Sequence, residues 1–356
     1  MYSYTYLFDV TKNILIKMGC PESDAHTITD VLLKAELRSI SSHGLLRIKS
    51  YFHLVKESRI NVNPDIKVVH DTPGTAVVDG DLSFGMVAAK KSMELAMEKA
   101  DKVGSGWVAT RNSNHFGIAG YYAMMALERD MIGICLTHAN PSVAPTWSID
   151  RLLGTNPIAM AVPAKTQPPY VADFATTPVA RGKIAIKEKI GEKLPIGYVQ
   201  DKYGFPSIDP SILRDGGAIL PLGGDYIHGS HKGYCLGSMV DILSGVISGA
   251  NFGPFIPPVA TYLPRREETV GLGTGHFFGA LRIDGFMPAD EFKERMDEWI
   301  KIFRNAKTVE NQEKVLIPGD IEREAEERIM KEGIQLVPAV RDEFKQVADE
   351  LGVDFE

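Results

Sequence analysis

The chain has 356 residues, 44% of them hydrophobic and 24% charged, which is enough apolar material for more than one buried core and argues against intrinsic disorder. Its 39 Lys and Arg against 46 Asp and Glu give a net charge of −7, and its basic runs are only short pairs such as Arg265-Arg266, so neither nucleic acid nor an anionic membrane is an expected partner. No cationic segment leads into an apolar run at the N-terminus, and Cys20, Cys135 and Cys235 stand far apart without a CxxC, which predicts a cytoplasmic protein with no disulfide framework, zinc site or other metal.

Apolar residues recur at helical spacing from Leu7 to Met18; Gly19 stops that helix, and Pro21-Glu22-Ser23-Asp24 opens the next. A third helix is predicted from near Ser42, with His43 in its first turn. If it is continuous, His43, Arg47 and Tyr51 are four residues apart and fall within an arc of about 80° on one face. From Ile66 to Val78 the pattern becomes strand-like around the turn Thr72-Pro73-Gly74. Helix and strand then alternate: a helix over 84–102, a strand over 106–110, a helix over 118–129 and a strand over 132–136. The stretches 137–157 and 195–224 read as long ordered loops. The apolar run from Cys235 to Ala250 carries Asp241 and is too short to span a bilayer, so it reads as a buried helix. Residues 277–283 read as a strand, and the remainder as charged helices over 290–305, from Pro318-Gly319-Asp320 to Lys331, and over 337–351.

A face carrying His43, Arg47 and Tyr51 offers a proton-transfer group, a guanidinium that can grip a carboxylate with two parallel bonds, and a phenol that can orient a substrate oxygen. In Asn112-Ser113-Asn114-His115-Phe116-Gly117, His115 follows a predicted strand and precedes a helix, the position where α/β proteins place ligand sites. Two Gly-rich runs, Gly104-Ser105-Gly106 and Gly271-Leu272-Gly273-Thr274-Gly275, each enter a predicted strand. Neither can aim a helix N-terminus at a pyrophosphate, which argues against a Rossmann domain. Asp173-Phe174-Ala175-Thr176-Thr177-Pro178 and Arg181-Gly182-Lys183 have small and hydroxyl-bearing residues that let backbone amides approach a phosphate or ribose. His231-Lys232 leads into a helix whose Gly237, Asp241, Ser244, Gly245 and Ser248 form a stripe of mostly small residues, against which something must pack closely.

Taken together, Ser42-His43-Gly44 with Arg47 and Tyr51, Asn114-His115-Phe116-Gly117, Gly154-Thr155-Asn156-Pro157, Asp173 to Thr177, Leu220-Pro221-Leu222-Gly223-Gly224, His231-Lys232-Gly233-Tyr234 and Pro318-Gly319-Asp320 resemble the malate/L-lactate dehydrogenase type 2 family over nearly the whole chain. That family includes sulfolactate, ureidoglycolate and diketogulonate oxidoreductases and a cyclic-imine reductase. The resemblance implies an NAD- or NADP-dependent oxidoreductase with a mixed α/β, non-Rossmann cofactor core over 76–284. It also implies a helical domain built from both chain ends, 1–75 and 285–356, and a homodimer whose subunits jointly build each site. By the same matching, His43 or His115 is the proton donor, Arg47 and Tyr51 bind substrate, and Asn140, Asp173, Phe174, Ala175, Thr176, Thr177, His231, Lys232, Pro318, Gly319 and Asp320 contact the cofactor. Pro178 departs from the family pattern and stiffens that loop.

Within this reading His115 is the expected proton donor, with His43 beside it and Ser42 orienting His43, because a protonated imidazole can neutralise the charge that develops on the carbonyl oxygen of a 2-oxo acid. The expected substrate is malate, lactate or a related small 2-hydroxy acid. Ureidoglycolate, sulfolactate or a cyclic imine would suit the same groups, and a catalytically silent binder of organic acids or nucleotides is the rival from outside the enzyme class.

Overall fold

The computed structural model describes residues 1–356 except 262, 264 and 265, so Arg265 of the short basic pair lies outside the described residues. Three helices come first: α1 (Tyr4–Lys17), capped by the Ser3 hydroxyl accepting from the Tyr6 amide at 3.2 Å, α2 (Glu22–Leu37) and α3 (Ile48–Lys56). Then follow β1 (Lys67–Asp71), β2 (Thr75–Asp79), α4 (Gly85–Val103), β3 (Ser105–Ser113), α5 (Ala119–Met125) and β4 (Met131–Thr137). The middle of the chain adds β5 (Ile158–Val162), β6 (Tyr170–Phe174), α6 (Arg181–Lys189) and three two-residue strands, β7 (Val199–Gln200), β8 (Pro206–Ser207) and β9 (Ala218–Ile219). Last come α7 (Ser230–Asp241), β10 (Thr274–Arg282), α8 (Ala289–Arg304), α9 (Asp320–Glu332) and α10 (Pro338–Leu351).

Seven strands form one sheet in the order β1-β2-β3-β10-β4-β5-β6, in which only β2 and β3 run parallel. The fold is therefore mixed α/β with a mostly antiparallel sheet, and its late strand β10 is threaded between β3 and β4. The hairpin of β1 and β2 straddles residue 75, where the helical N-terminal part was expected to end. Helix α4 buries Met86, Ala89, Met93, Ala96 and Ala100 against the sheet, and at Gly106 of β3 a Cβ would collide with the Ala96 carbonyl, so glycine there lets helix and strand touch. Gly104 closes α4 at φ +93° and hands the chain to β3, while Gly271 to Gly275 lead into β10. Neither Gly-rich run opens a helix.

The chain ends pack on each other. Tyr2 and Ile334 exchange backbone hydrogen bonds at 2.9 and 2.8 Å, the Phe355 ring stands 5.3 Å from that of Tyr2, and Lys34 of α2 and Arg38, which caps it, pair with Glu326 of α9 at 2.6 and 3.1 Å.

The continuous helix expected from Ser42 is not formed, and this corrects the helical stripe of His43, Arg47 and Tyr51. Residues 41–43 and 45–47 make two separate 3-10 turns, and α3 begins only at Ile48. The cause is Glu36, buried on α2, whose carboxylate accepts from the Leu45 amide at 2.8 Å and lies where a Cβ of residue 44 would sit. Gly44 is the residue that fits, and with ψ −140° it turns the chain between the two 3-10 turns. Likewise the helix expected over 118–129 is α only to Met125 and finishes as a 3-10 turn.

Candidate active site

The turn after β3 is held from three sides. The Asn114 side chain donates to the Leu82 and Ser83 carbonyls at 2.8 and 3.0 Å, and Phe116 is buried in a stack on His276, with ring centroids 4.6 Å apart. Gly117 has φ +81°, and a Cβ there would stand 2.6 Å from Val31. Between these fixed points His115 has one way to face.

Although the predicted helix is broken, its three side chains still gather at His115. The Tyr51 hydroxyl meets His115 Nδ1 at 2.7 Å, and the rings of His43 and His115 stack with centroids 5.3 Å apart. Ser42 meets His43 Nδ1 at 2.9 Å, and Arg47 Nε donates to the Ser42 carbonyl at 2.8 Å. Each histidine thus has Nδ1 engaged and Nε2 without a partner among the described residues. The two terminal nitrogens of Arg47 also have no partner there.

These groups line a cavity of about 290 Å³ together with His138, Asn140, Thr155 and Arg181. A second cavity of about 610 Å³ shares Asn140 and Arg181 with it. Burial first, and then the charge of Arg47, pull His43 down to about 3 and His115 well below its ordinary value of 6.5. Both rings are neutral near pH 7. Tyr51 is buried and pushed up, so its phenol keeps its proton and can donate to, or accept from, Nδ1 of His115.

The residues expected at the cofactor are spread over three places. Asn140 lines both cavities, and its carboxamide has no hydrogen-bond partner among the described residues. Asp173 and Phe174, with Pro318 and Gly319, line a third hollow of about 460 Å³. One Asp173 oxygen accepts from the Gly120 amide at 2.7 Å, and burial raises its carboxyl to about 6. Ala175 is half-buried, and Thr176 and Thr177 are buried, with hydroxyls donating to Thr155 and Val179 carbonyls at 3.1 and 2.9 Å. Thr155 lines the main cavity, so the loop from Asp173 runs between the third hollow and the back of the first. Lys232 is exposed in the first turn of α7; His231 beside it lies against the Tyr226 ring at 4.9 Å with its Nδ1 buried and unpartnered.

Asp320 is different, because both its oxygens are already used: one faces Arg304 and Arg323 at 3.2 and 2.7 Å, the other accepts from Ile317 at 2.9 Å. It is buried and ties down the turn that precedes α9. The small-residue stripe after Lys232 is explained by packing. A Cβ on Gly237 would sit 3.2 Å from the Thr176 hydroxyl, and one on Gly245 would sit 2.9 Å from His138 Nδ1.

Sequence reasoning passed over three residues at or beside this cavity: His138, His276 and, as a charged group, Arg181. His138 has Nε2 accepting from the Gly275 amide at 2.7 Å and Nδ1 3.4 Å from Asp241, and His276 joins Thr137 and Ser113 at 2.7 and 2.9 Å. Their only sequence signal was the histidine itself, one in a loop and one in a strand. Among the described residues no group of three His, Cys, Asp or Glu could hold a metal ion, and no helix is long and apolar enough to cross a membrane.

A sequence profile of the malate/L-lactate dehydrogenase family matches residues 2–345. The chain belongs to that family. It is 41% identical to a malate dehydrogenase of Pyrococcus abyssi over 348 residues, 98% of this chain and 94% of the relative. Its fold is similar to that of the sulfolactate dehydrogenase of Methanocaldococcus jannaschii, with a TM-score of 0.90, 39% identity and coverage of 99% of this chain and 98% of the other. The malate dehydrogenase of Entamoeba histolytica superposes with a TM-score of 0.92 at 33% identity, covering 99% and 98% of the two chains. Such relatives make the chain a dehydrogenase of hydroxy acids.

Proposed function

We propose that the protein is an NAD- or NADP-dependent oxidoreductase that interconverts a small 2-hydroxy acid, malate foremost, and its 2-oxo acid. The observation that carries this reading is one cavity in which two neutral histidines with free Nε2 atoms stand beside a guanidinium whose terminal nitrogens are unpaired.

The residues present fit a nicotinamide dinucleotide on a mostly antiparallel, non-Rossmann core. Asn140 offers an unpaired carboxamide at the cavity junction, Asp173 an oxygen suited to ribose hydroxyls, and Lys232 an exposed cation for a phosphate, with Phe174 to Thr177, His231 and the Pro318-Gly319-Asp320 turn completing the site. When bound, the nicotinamide supplies or accepts the hydride at C2 of the acid. Arg47 holds the C1 carboxylate in a two-pronged bond and so fixes which face of C2 is presented. Tyr51 keeps His115 oriented through Nδ1. In oxidation the neutral His115 takes the hydroxyl proton at Nε2 with its Nδ1 side held by the Tyr51 hydroxyl; in reduction the protonated ring returns the proton to the alcohol oxygen. His43, held by Ser42, stacks on His115 and keeps water from one of its faces.

A homodimer is part of this reading. It is supported by the end of α7 and the π-helical turn that continues it over Ile242–Val246, where Met239, Ile242, Val246 and Ile247 form an uncharged exposed surface that a second copy would cover. Mixing the protein with NADH or NADPH and oxaloacetate and following nicotinamide absorbance tests the activity. Ligand binding without turnover of any 2-oxo acid or imine would leave only the binder.

A further inference from the structure

Ser42, His43 and Arg47 reach the cavity from a segment that is not a continuous helix, and what holds it open is one side chain from another element. Glu36 is the last residue but one of α2 and only 4% exposed, and its carboxylate accepts from the buried Leu45 amide at 2.8 Å. In a continuous α-helix that amide would bond to the Ser41 carbonyl, four residues back. Instead the Gly44 amide donates to the Ser41 carbonyl at 3.2 Å, and the next carbonyl, that of Ser42, accepts from Arg47 Nε at 2.8 Å. Glu36 has taken the amide, and Arg47 has gained a carbonyl that a helix would keep for its own backbone. Gly44 is the complement of this exchange, because a Cβ there would collide with a Glu36 oxygen.

The side chains of the site hang on that exchange. With Nε fixed on the Ser42 carbonyl, the Arg47 guanidinium is anchored at one end and its two terminal nitrogens are left for a ligand. The Ser42 side chain also holds Nδ1 of His43 at 2.9 Å, and the His43 ring stacks on His115. Without an acceptor at position 36 the buried Leu45 amide would turn to the Ser41 or Ser42 carbonyl, since a buried amide left unpaired is costly. The first choice winds the segment toward the helix its own sequence favours, and the second competes with Arg47. Both displace Arg47 and His43 relative to His115.

We propose that Glu36 is a positioning residue of the reaction. By taking the Leu45 amide it keeps residues 41–47 out of a continuous helix and leaves the Ser42 carbonyl to Arg47, and so sets where Arg47 and His43 stand relative to His115. The role needs an oxygen at the reach of a glutamate side chain; neither the charge nor the volume of Glu36 fulfils it alone. The proposal rests on the hydroxy-acid reading above for the reaction, but what it says of Arg47 and His43 can be read without turnover.

The test compares three variants: Glu36→Gln keeps the oxygen and its reach, Glu36→Asp keeps the charge but withdraws the oxygen by one methylene, and Glu36→Met keeps the volume without any oxygen. Each is assayed well below its melting temperature for kcat and KM with oxaloacetate, for NADH and NADPH dissociation constants, and for the His43 ring signals in NMR spectra of the ligand-free protein. Per folded molecule, Glu36→Gln should keep kcat/KM within about threefold of wild type, Glu36→Asp should lose about tenfold and Glu36→Met about 30- to 100-fold, with KM raised through Arg47 and cofactor dissociation changed less than about twofold. The His43 signals should move in Glu36→Met and Glu36→Asp and stay in place in Glu36→Gln. A Glu36→Met protein that melts lower yet turns over within about threefold of wild type would make Glu36 a stabilising residue only and overturn the proposal. So would a Glu36→Asp protein as active as Glu36→Gln or more so, which would make charge the deciding property, and that comparison stands even where Glu36→Met does not fold. If the wild type turns over no 2-oxo acid, the hydroxy-acid reading fails by itself; unmoved His43 signals in Glu36→Asp and Glu36→Met would then overturn the positioning role separately.

Discussion

Two pairs of histidines in or beside the main cavity differ in what their second nitrogen touches. His43 and His115 have Nδ1 held by Ser42 and Tyr51 and Nε2 without a partner, whereas His276 has both nitrogens on hydroxyls and His138 has one on the Gly275 amide and the other facing Asp241. The rings are chemically the same and His43 and His276 are both lowered to about 3, so the pKa alone does not tell a reactive histidine from a structural one. The free nitrogen does. His276, committed on both sides, cements the β4–β10 region, His138 is closed off by burial with Nδ1 3.4 Å from Asp241, and a ring committed on one side with its other nitrogen open to the cavity is oriented and still able to exchange a proton.

The largest way to break this comparison is His115→Ala. We expect kcat to fall by about 100-fold or more with little change in cofactor binding by nicotinamide fluorescence. His43→Ala is the control; if it abolishes turnover while His115→Ala spares it, the two roles are exchanged. The pH profile sharpens the point. Because the free His115 is held below 6.5, the base needed for oxidation remains neutral, and kcat/KM should stay level as pH falls through 6.5, declining only at lower pH. A decline centred at or above 6.5 would show that burial does not govern this ring.

Next comes Arg47→Lys, where the planar fork is lost but the charge is kept. The expected cost is about 2–3 kcal/mol in kcat/KM, from the strength of charge-assisted bonds. A variant within a factor of two of wild type would remove Arg47 from the site.

How much of this was legible in the sequence depends on whether a local signal existed. Most of the helices and the strands β1 to β4 and β10 follow local patterning, whereas β5, β6 and α6 were not read from the sequence, and the His115 turn is marked by its place between strand and helix. The 3-10 break at Gly44 was not legible: Leu45 to Tyr51 reads as helix, and only the buried Glu36 carboxylate on a different helix, arriving at the Leu45 amide, unwinds it. Arg181 shows the same limit. Its run reads as small and loop-like, and its place in both cavities is a property of walls assembled from distant segments.

The comparison extends to the cofactor residues, where Lys232 is free to meet a ligand and Gly104 only closes α4. Lys232→Ala should weaken NAD(P)H binding by about 1–3 kcal/mol, and Gly104→Ala should leave the dissociation constant nearly unchanged even where it lowers stability. A large effect at Gly104 with none at Lys232 would bring back a Gly-rich dinucleotide site.

The smallest effect on turnover is expected at His276, which is why it tests the comparison from the other side. His276→Ala removes the partner of the Thr137 and Ser113 hydroxyls and the ring that supports Phe116, and should cost about 1–3 kcal/mol of stability. Turnover per folded molecule should remain within about twofold. The sign of the pH effect follows from its lowered pKa: between 6.5 and about 3 the unfolded chain binds a proton that the folded ring refuses, so wild-type stability is present above 6.5 and declines as pH falls through that window. Removing His276 deletes its share of that decline, so the gap between wild-type and variant melting temperatures should narrow from pH 7.5 to pH 5. A gap that widens on acidification, or a variant that folds well and loses turnover as His115→Ala does, would mean that a ring with both nitrogens engaged still takes part in the chemistry.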